Sequence, residues 1–141
     1  MILVIGGTGK TGRRIVQRLE DKGFAVRIGS RPVFDWDDPS TWAPALDGID
    51  AAYVAFYPDL AVPGAPEAIE RLAGLAKAAG VRKLVLLSGR GEDEALASEK
   101  IVQDSGLRGP WCGPAGSART SARVICWSRS CPARWCCLWG R

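Results

Sequence analysis

Met1-Ile2-Leu3-Val4-Ile5-Gly6-Gly7-Thr8-Gly9-Lys10-Thr11-Gly12 opens the chain, and Arg13-Arg14-Ile15-Val16-Gln17-Arg18-Leu19 follows at once. A short apolar run enters a glycine-dense turn, and apolar residues then recur at helical spacing. A buried strand, a tight glycine loop and a helix N-terminus in that order make a cradle for a dinucleotide pyrophosphate. The helix end offers unpaired N–H groups and a partial positive charge. Without side chains, the glycines let phosphate approach the backbone.

Two glycine spacings overlap in this loop. Gly7-x-Gly9-x-x-Gly12 has the usual dinucleotide spacing, and Gly6-x-x-Gly9-x-x-Gly12 has the spacing found in short-chain dehydrogenase/reductase relatives. Gly9-Lys10-Thr11 also imitates the end of a P-loop. That motif needs a glycine five residues before the Gly-Lys pair, and Val4 stands there, which excludes an ATPase or GTPase. Gly6, Gly7, Thr8, Gly9, Lys10, Thr11 and Gly12 are therefore the first candidate cofactor residues.

The rest of the chain to Leu107 alternates strand-like and helix-like segments. Residues 2–5 read as a central strand and 10–22 as a helix stopped by Gly23. Residues 24–29 read as a second strand, and Phe34-Asp35-Trp36 as a short third. A brief helix runs from Asp38-Pro39 to Asp47-Gly48. Residues 51–57 form a fourth strand and 67–79 a helix stopped by Gly80. Residues 83–87 form a fifth strand delivering Ser88, and 92–105 a last helix stopped by Gly106. Strict alternation gives an α/β fold, a Rossmann-like doubly wound parallel sheet with strand order 3-2-1-4-5. The ligand crevice then lies beyond the carboxyl ends of strands one and four. The glycine loop, Arg31, Phe56, Tyr57 and Ser88 fall at that edge, and they join the candidate list.

The residues after strand two choose between nucleotides. An NAD site places an acid there for the ribose hydroxyls, whereas this chain has Ser30 and Arg31. An arginine suits the 2′-phosphate, so NADP(H) is favoured over NAD(H); the plain alternative is a solvated surface arginine. Lys10 can add a phosphate contact. Asp35 and Trp36 can border the adenine, although core packing is at least as good a reading of Trp36.

Four segments together carry a family resemblance: Gly6-Gly7-Thr8-Gly9-Lys10-Thr11-Gly12, the arginine after strand two, Leu46-Asp47-Gly48-Ile49-Asp50-Ala51, and Gly80-Val81-Arg82-Lys83-Leu84-Val85-Leu86-Leu87-Ser88. Residues 1–107 resemble the NmrA-like branch of the atypical short-chain dehydrogenases/reductases, including members labelled ergot-alkaloid-biosynthesis-like. The resemblance implies a Rossmann fold that binds NAD(P)H. Its members include quinone and isoflavone-type reductases, and also proteins that only sense cofactor redox state. Typical short-chain dehydrogenases carry a Tyr-x-x-x-Lys pair. Here Lys100 has Leu96 four residues before it, and the chain has no histidine to serve as acid or base. Lys100 reads better as a surface ion-pair residue beside Glu99 and Asp104. No catalytic residue is assigned.

Composition divides the chain. Residues 1–107 carry 13 basic and 15 acidic side chains; residues 108–141 carry six arginines, all five cysteines and no acid. Residues 1–107 read as a truncated NAD(P)-binding domain and 108–141 as an aberrant, poorly ordered tail. The cysteines show no paired C-x-x-C spacing and have no histidine partner, so no metal site is expected. A nucleic-acid role is not expected of a basic tail with no fold to present it. No apolar run reaches membrane-spanning length and no basic leader precedes the first strand. The expected location is therefore cytoplasmic, with no membrane partner. The expected partners are a dinucleotide and a small-molecule substrate.

A shift of reading frame accounts for the tail. Reading residues 109–141 from the third base of each codon permits a sequence opening Thr-Val-Val-Arg-Pro and closing with Gly-Glu-Val-Val-Leu-Pro. A few of its residues are forced, among them valine by Trp111-Cys112 and by Trp135-Cys136, and glycine by Trp139-Gly140. That string resembles NmrA-like proteins from their sixth strand onward. A chain lacking this strand leaves strand five as an open edge. Three readings follow: an impaired reductase, a non-catalytic NADP(H) sensor, and the non-functional product of a frameshifted gene.

Overall fold

A computed structural model describes residues 1–88 and 92–107, together with the backbone of 123–125. Strand β1 (Ile2–Ile5) is buried along its whole length. Its side chains alternate between two cores, as the period of a strand requires. Ile2 and Val4 pack with Ile15, Val16 and Leu19 of helix α1 (Lys10–Glu20). Leu3 and Ile5 pack into the larger core on the opposite face. That core is filled by α2 (Trp42–Leu46), α3 (Ala65–Ala78) and α4 (Asp93–Asp104).

Strand β1 pairs in parallel with β2 (Val26–Gly29) on one side and with β3 (Ala51–Val54) on the other. Strand β3 pairs in parallel with β4 (Lys83–Ser88). These four strands lie in the order β2-β1-β3-β4. Their carboxyl ends therefore share one edge of the sheet, and α1 lies on the face opposite α2, α3 and α4. This is the doubly wound arrangement that the strand and helix alternation predicts.

Two expectations are corrected. Phe34-Asp35-Trp36 is not a strand but part of a tight turn carrying an isolated bridge between Asp35 and Asp38. The backbone groups that a ladder would use are taken locally. Asp35 N–H donates to Thr41 Oγ1 at 3.0 Å, and its carbonyl accepts from Trp42 Nε1 at 2.6 Å. Phe34 is 3% exposed and anchors the turn in the core. Strand β2 is consequently the sheet's edge among the described residues.

The second correction concerns β4, expected as an open edge with no defined element beyond it. A strand β5 (Arg123–Ile125) pairs with it antiparallel, setting Arg123 against Ser88 and Ile125 against Leu86. The rest of the segment 108–141, with all five cysteines, lies outside the described residues.

Candidate functional site

The carboxyl edge gathers the loop after β1, the turn after β2 and the loop after β3. Backbone bonds lock the glycine loop. Gly6 N–H donates to the Gly29 carbonyl at 2.9 Å, and the Gly6 carbonyl accepts from Gly9 N–H at 3.0 Å. Gly6 has φ +76°, a left-handed conformation that suits glycine, and its α-carbon faces Ala55 at the end of β3. A Cβ at position 7 would stand 2.9 Å from Ile28 Cγ2 and 3.0 Å from the Val4 carbonyl. A Cβ at position 12 would stand 2.1 Å from the Gly6 carbonyl oxygen. Gly12 therefore lets the first turn of α1 sit directly on the loop.

The first helical bond of α1 runs from Arg13 N–H to the Gly9 carbonyl at 2.9 Å. The amides of Lys10, Thr11 and Gly12 precede it and have no acceptor within the helix. Gly9 caps the helix without a side-chain bond. Thr8, Gly9, Lys10 and Thr11 are exposed. The loop thus presents open donors, the positive end of a helix dipole and a lysine, a set that fits a diphosphate.

Arg31 follows β2 and is 78% exposed; its Nε lies 4.0 Å from Asp35 Oδ2. At that separation the pair leaves the guanidinium open to a ligand. Ser30 is half-buried, and its carbonyl closes the turn by accepting from Val33 and Phe34 N–H at 2.8 and 3.1 Å. Asp35 Oδ1 accepts from Asp37 N–H at 3.1 Å. Trp36 packs against Phe56 with ring centroids 4.6 Å apart, and against Phe34 and Trp42 at 4.9 and 5.5 Å. Packing is thus the role in which Trp36 is found. Tyr57 stands 76% exposed beyond Phe56 at the lip of the edge. Ser88 ends β4 but is only 2% exposed, on the side of the strand that carries Leu84 and Leu86. The edge therefore brings together the glycine loop, Arg31 and Tyr57. It holds Trp36 and Phe56 as a packed wall and leaves Ser88 beneath the surface.

Sequence reasoning missed Arg27. Its Nη1 donates to the carbonyls of Ala45 at 2.9 Å and Asp47 at 2.8 Å, closing the C-terminal end of α2 against the sheet. An arginine flanked by Val26 and Ile28 in a short strand is the sequence signal for such a tether. The surface pairing expected of Lys100 is not found among the described residues, and Glu99, one of its proposed partners, is buried. Leu96 is exposed on α4 where a catalytic tyrosine would stand. Tyr53 is buried on the α1 face, and burial pushes its phenol well above the ordinary range. Among the described residues no group of three or more metal-ligating side chains assembles, and no helix is long and apolar enough to cross a membrane.

Comparison with solved structures then places the architecture. The chain superposes on a short-chain dehydrogenase/reductase superfamily protein from Agrobacterium tumefaciens, solved with bound NAD. The TM-score is 0.59 at 27% identity, covering 74% of this chain and 44% of that one. The fold is Rossmann-like. No protein-family model matches the chain. Among curated relatives, prestalk A differentiation protein A of Dictyostelium discoideum is 31% identical over 75% of this chain and 41% of its own length. The (4-alkanoyl-5-oxo-2,5-dihydrofuran-3-yl)methyl phosphate reductase of Streptomyces griseus is 34% identical over 79% of this chain and 45% of its own. The chain thus spans less than half the length of these relatives.

Proposed function

We propose that residues 1–107 bind NADP(H) in an NmrA-like protein of reductase lineage. In this reading the glycine loop lies under the pyrophosphate and Arg31 meets the 2′-phosphate. The observation that carries it is the contact of Gly12 with Gly6, which presses a helix N-terminus with three open amides onto a side-chain-free loop. Ser30 and Arg31, with no acid at the end of β2, support the phosphorylated dinucleotide. Lys10 adds charge on the same side, and Tyr57 lines the lip. When bound, the reduced nicotinamide would supply a hydride. This chain's residues supply the binding, and a small-molecule acceptor would be the second ligand.

A sensor role is the second reading. Leu96 in place of the tyrosine and the absence of histidine leave no assigned proton donor, which favours binding without turnover. A third reading concerns residues 108–141, whose arginine-, tryptophan- and cysteine-rich, acid-free composition supports a shifted frame after Leu107. On that reading this chain carries the nucleotide half in frame and the product is impaired or inactive.

Titration of the purified chain with NADPH and NADH tests the first reading. NADPH is expected to bind more tightly, and equal or absent binding of both rejects it. Turnover of NADPH with quinones by a frame-restored chain separates reductase from sensor. Resequencing the gene in several isolates tests the frame: an uninterrupted frame encoding these residues throughout rejects the shift.

A further inference from the structure

Arg31 does not stand alone at the end of β2. The first acid after the strand is Asp35, and the turn folds it back beside the arginine. Val33 and Phe34 N–H close that turn on the Ser30 carbonyl, and Phe34 is buried in the core. The Asp35 backbone is held at both of its polar groups, the N–H by Thr41 Oγ1 and the carbonyl by Trp42 Nε1. Asp35 Oδ1 accepts from Asp37 N–H at 3.1 Å, while Oδ2 lies 4.0 Å from Arg31 Nε. The Asp38 carboxylate is engaged elsewhere: its Oδ1 accepts from Ser40 N–H at 3.0 Å and from Ser40 Oγ at 2.6 Å. The two members of the pair therefore differ in freedom. Arg31 is exposed and can swing to a ligand, whereas Asp35 is pinned at its backbone and at one carboxylate oxygen.

A pinned carboxylate beside a mobile guanidinium acts on the two dinucleotides with opposite sign. A ribose 2′-hydroxyl at Arg31 gains an acceptor in Asp35, the service that an acid at the strand end gives in an NAD site. A 2′-phosphate gains the arginine but meets a like charge that cannot move away, and specificity is the difference between the two affinities. We infer that Asp35 is a specificity-determining residue of this site, an inference that rests on the NADP(H) reading above. It accepts from the 2′-hydroxyl of NAD(H) and opposes the 2′-phosphate of NADP(H). The margin between the two dinucleotides is then narrower than Arg31 alone would set, and NAD(H) remains a ligand.

Titration of the full chain and its variants with NADPH and NADH tests this, with circular dichroism to check the fold. Asp35→Asn has the same shape and keeps an oxygen for Asp37 N–H. It is expected to tighten NADPH about tenfold by removing the like charge, and to weaken NADH roughly threefold by weakening the acceptor. ADP and its 2′-phosphorylated form should show the same split, which locates the effect at the 2′ position. Asp37→Asn removes the same charge from the same turn and is expected to leave the ratio of the two dissociation constants nearly unchanged. An unaltered ratio in Asp35→Asn, or an equal shift in Asp37→Asn, overturns the inference. Arg31→Ala separates it from the reading beneath it. NADPH weakened relative to NADH in that variant keeps the reading even where Asp35→Asn fails, and an unaltered ratio rejects both. Should Asp35→Asn lose its fold, Asp35→Ser keeps a hydroxyl acceptor for Asp37 N–H and must give the same split.

Discussion

The α-carbon of Gly12 is held so close to Gly6 that a Cβ at position 12 would fall 2.1 Å from the Gly6 carbonyl oxygen. That oxygen is already the acceptor for Gly9 N–H at 3.0 Å and belongs to backbone, so it has little room to yield. Gly12→Ala must push α1 off the loop. Overpacking of this kind costs about 1–3 kcal/mol, and the shifted amides no longer converge on one point. Thermal unfolding is expected to show the loss of stability, and titration with NADPH the loss of binding. A variant that retains both would show that the contact is dispensable.

Arg31 is the test of cofactor choice. With its guanidinium open and Asp35 at 4.0 Å, it contributes little to the fold. Arg31→Asp should therefore leave unfolding nearly unchanged. It removes a charge-assisted contact to the 2′-phosphate worth about 1.5–3 kcal/mol. The NADPH dissociation constant is then expected to rise about tenfold to a hundredfold, with NADH weakened far less. Equal effects on both dinucleotides would place Arg31 away from the ribose.

The sequence makes the strand–loop–helix at residues 2–20 and the parallel order of its neighbours legible because both depend on local period and glycine placement. Ile2–Ile5 are apolar without a break, and Ile15, Val16 and Leu19 recur on one face. The expected third strand does not form, for a reason that local pattern does not contain. Phe34 and Trp36 alternate with Asp35 as a strand would, but Trp42 and Thr41 lie close enough in the fold to take the Asp35 backbone. Arg27 was likewise invisible as a tether because its acceptors, Ala45 and Asp47, are separated from it by a turn and a helix. Ser88 reaches the expected strand end, yet burial depends on the packing around it. The candidate site's glycine loop was therefore legible, and its walls were not.

Trp42 tests how the wall is held. Its ring stacks on Phe34 at 5.8 Å, meets Trp36 edge-on, and donates Nε1–H to the Asp35 carbonyl at 2.6 Å. Trp42→Phe keeps most of the packing and leaves that carbonyl with two longer contacts, from Asp38 N–H at 3.3 Å and from Thr41 Oγ1 at 3.4 Å. A loss of about 1 kcal/mol is expected for the hydrogen bond, against about 3–5 kcal/mol for Trp42→Ala, which also opens a cavity. Chemical denaturation of both variants measures the two steps. Equal losses would mean that the bond, rather than the packing, fixes the turn.

Asp50 joins the amino ends of three strands at the opposite edge. Its carboxylate accepts from the Met1 amino group and from Arg82 Nη2, each at 2.6 Å, while its backbone bonds Met1 and Arg82 at 2.9 Å. The hydrogen bond from the amino terminus, and then that from Arg82, hold the carboxyl pKa below its ordinary 3.8. A lowered folded-state value means that the stabilisation is fully present above the unfolded pKa. It is lost as pH falls through the folded one. Denaturation midpoints measured from neutral pH downward should therefore fall in the acid range below 3.8. In Asp50→Asn that part of the decline should shrink, with a lower plateau at neutral pH. The pair is exposed, so added salt should narrow the gap between the two proteins. A variant whose acid limb matches that of the unsubstituted chain would show that Asp50 does not couple the strand ends to pH.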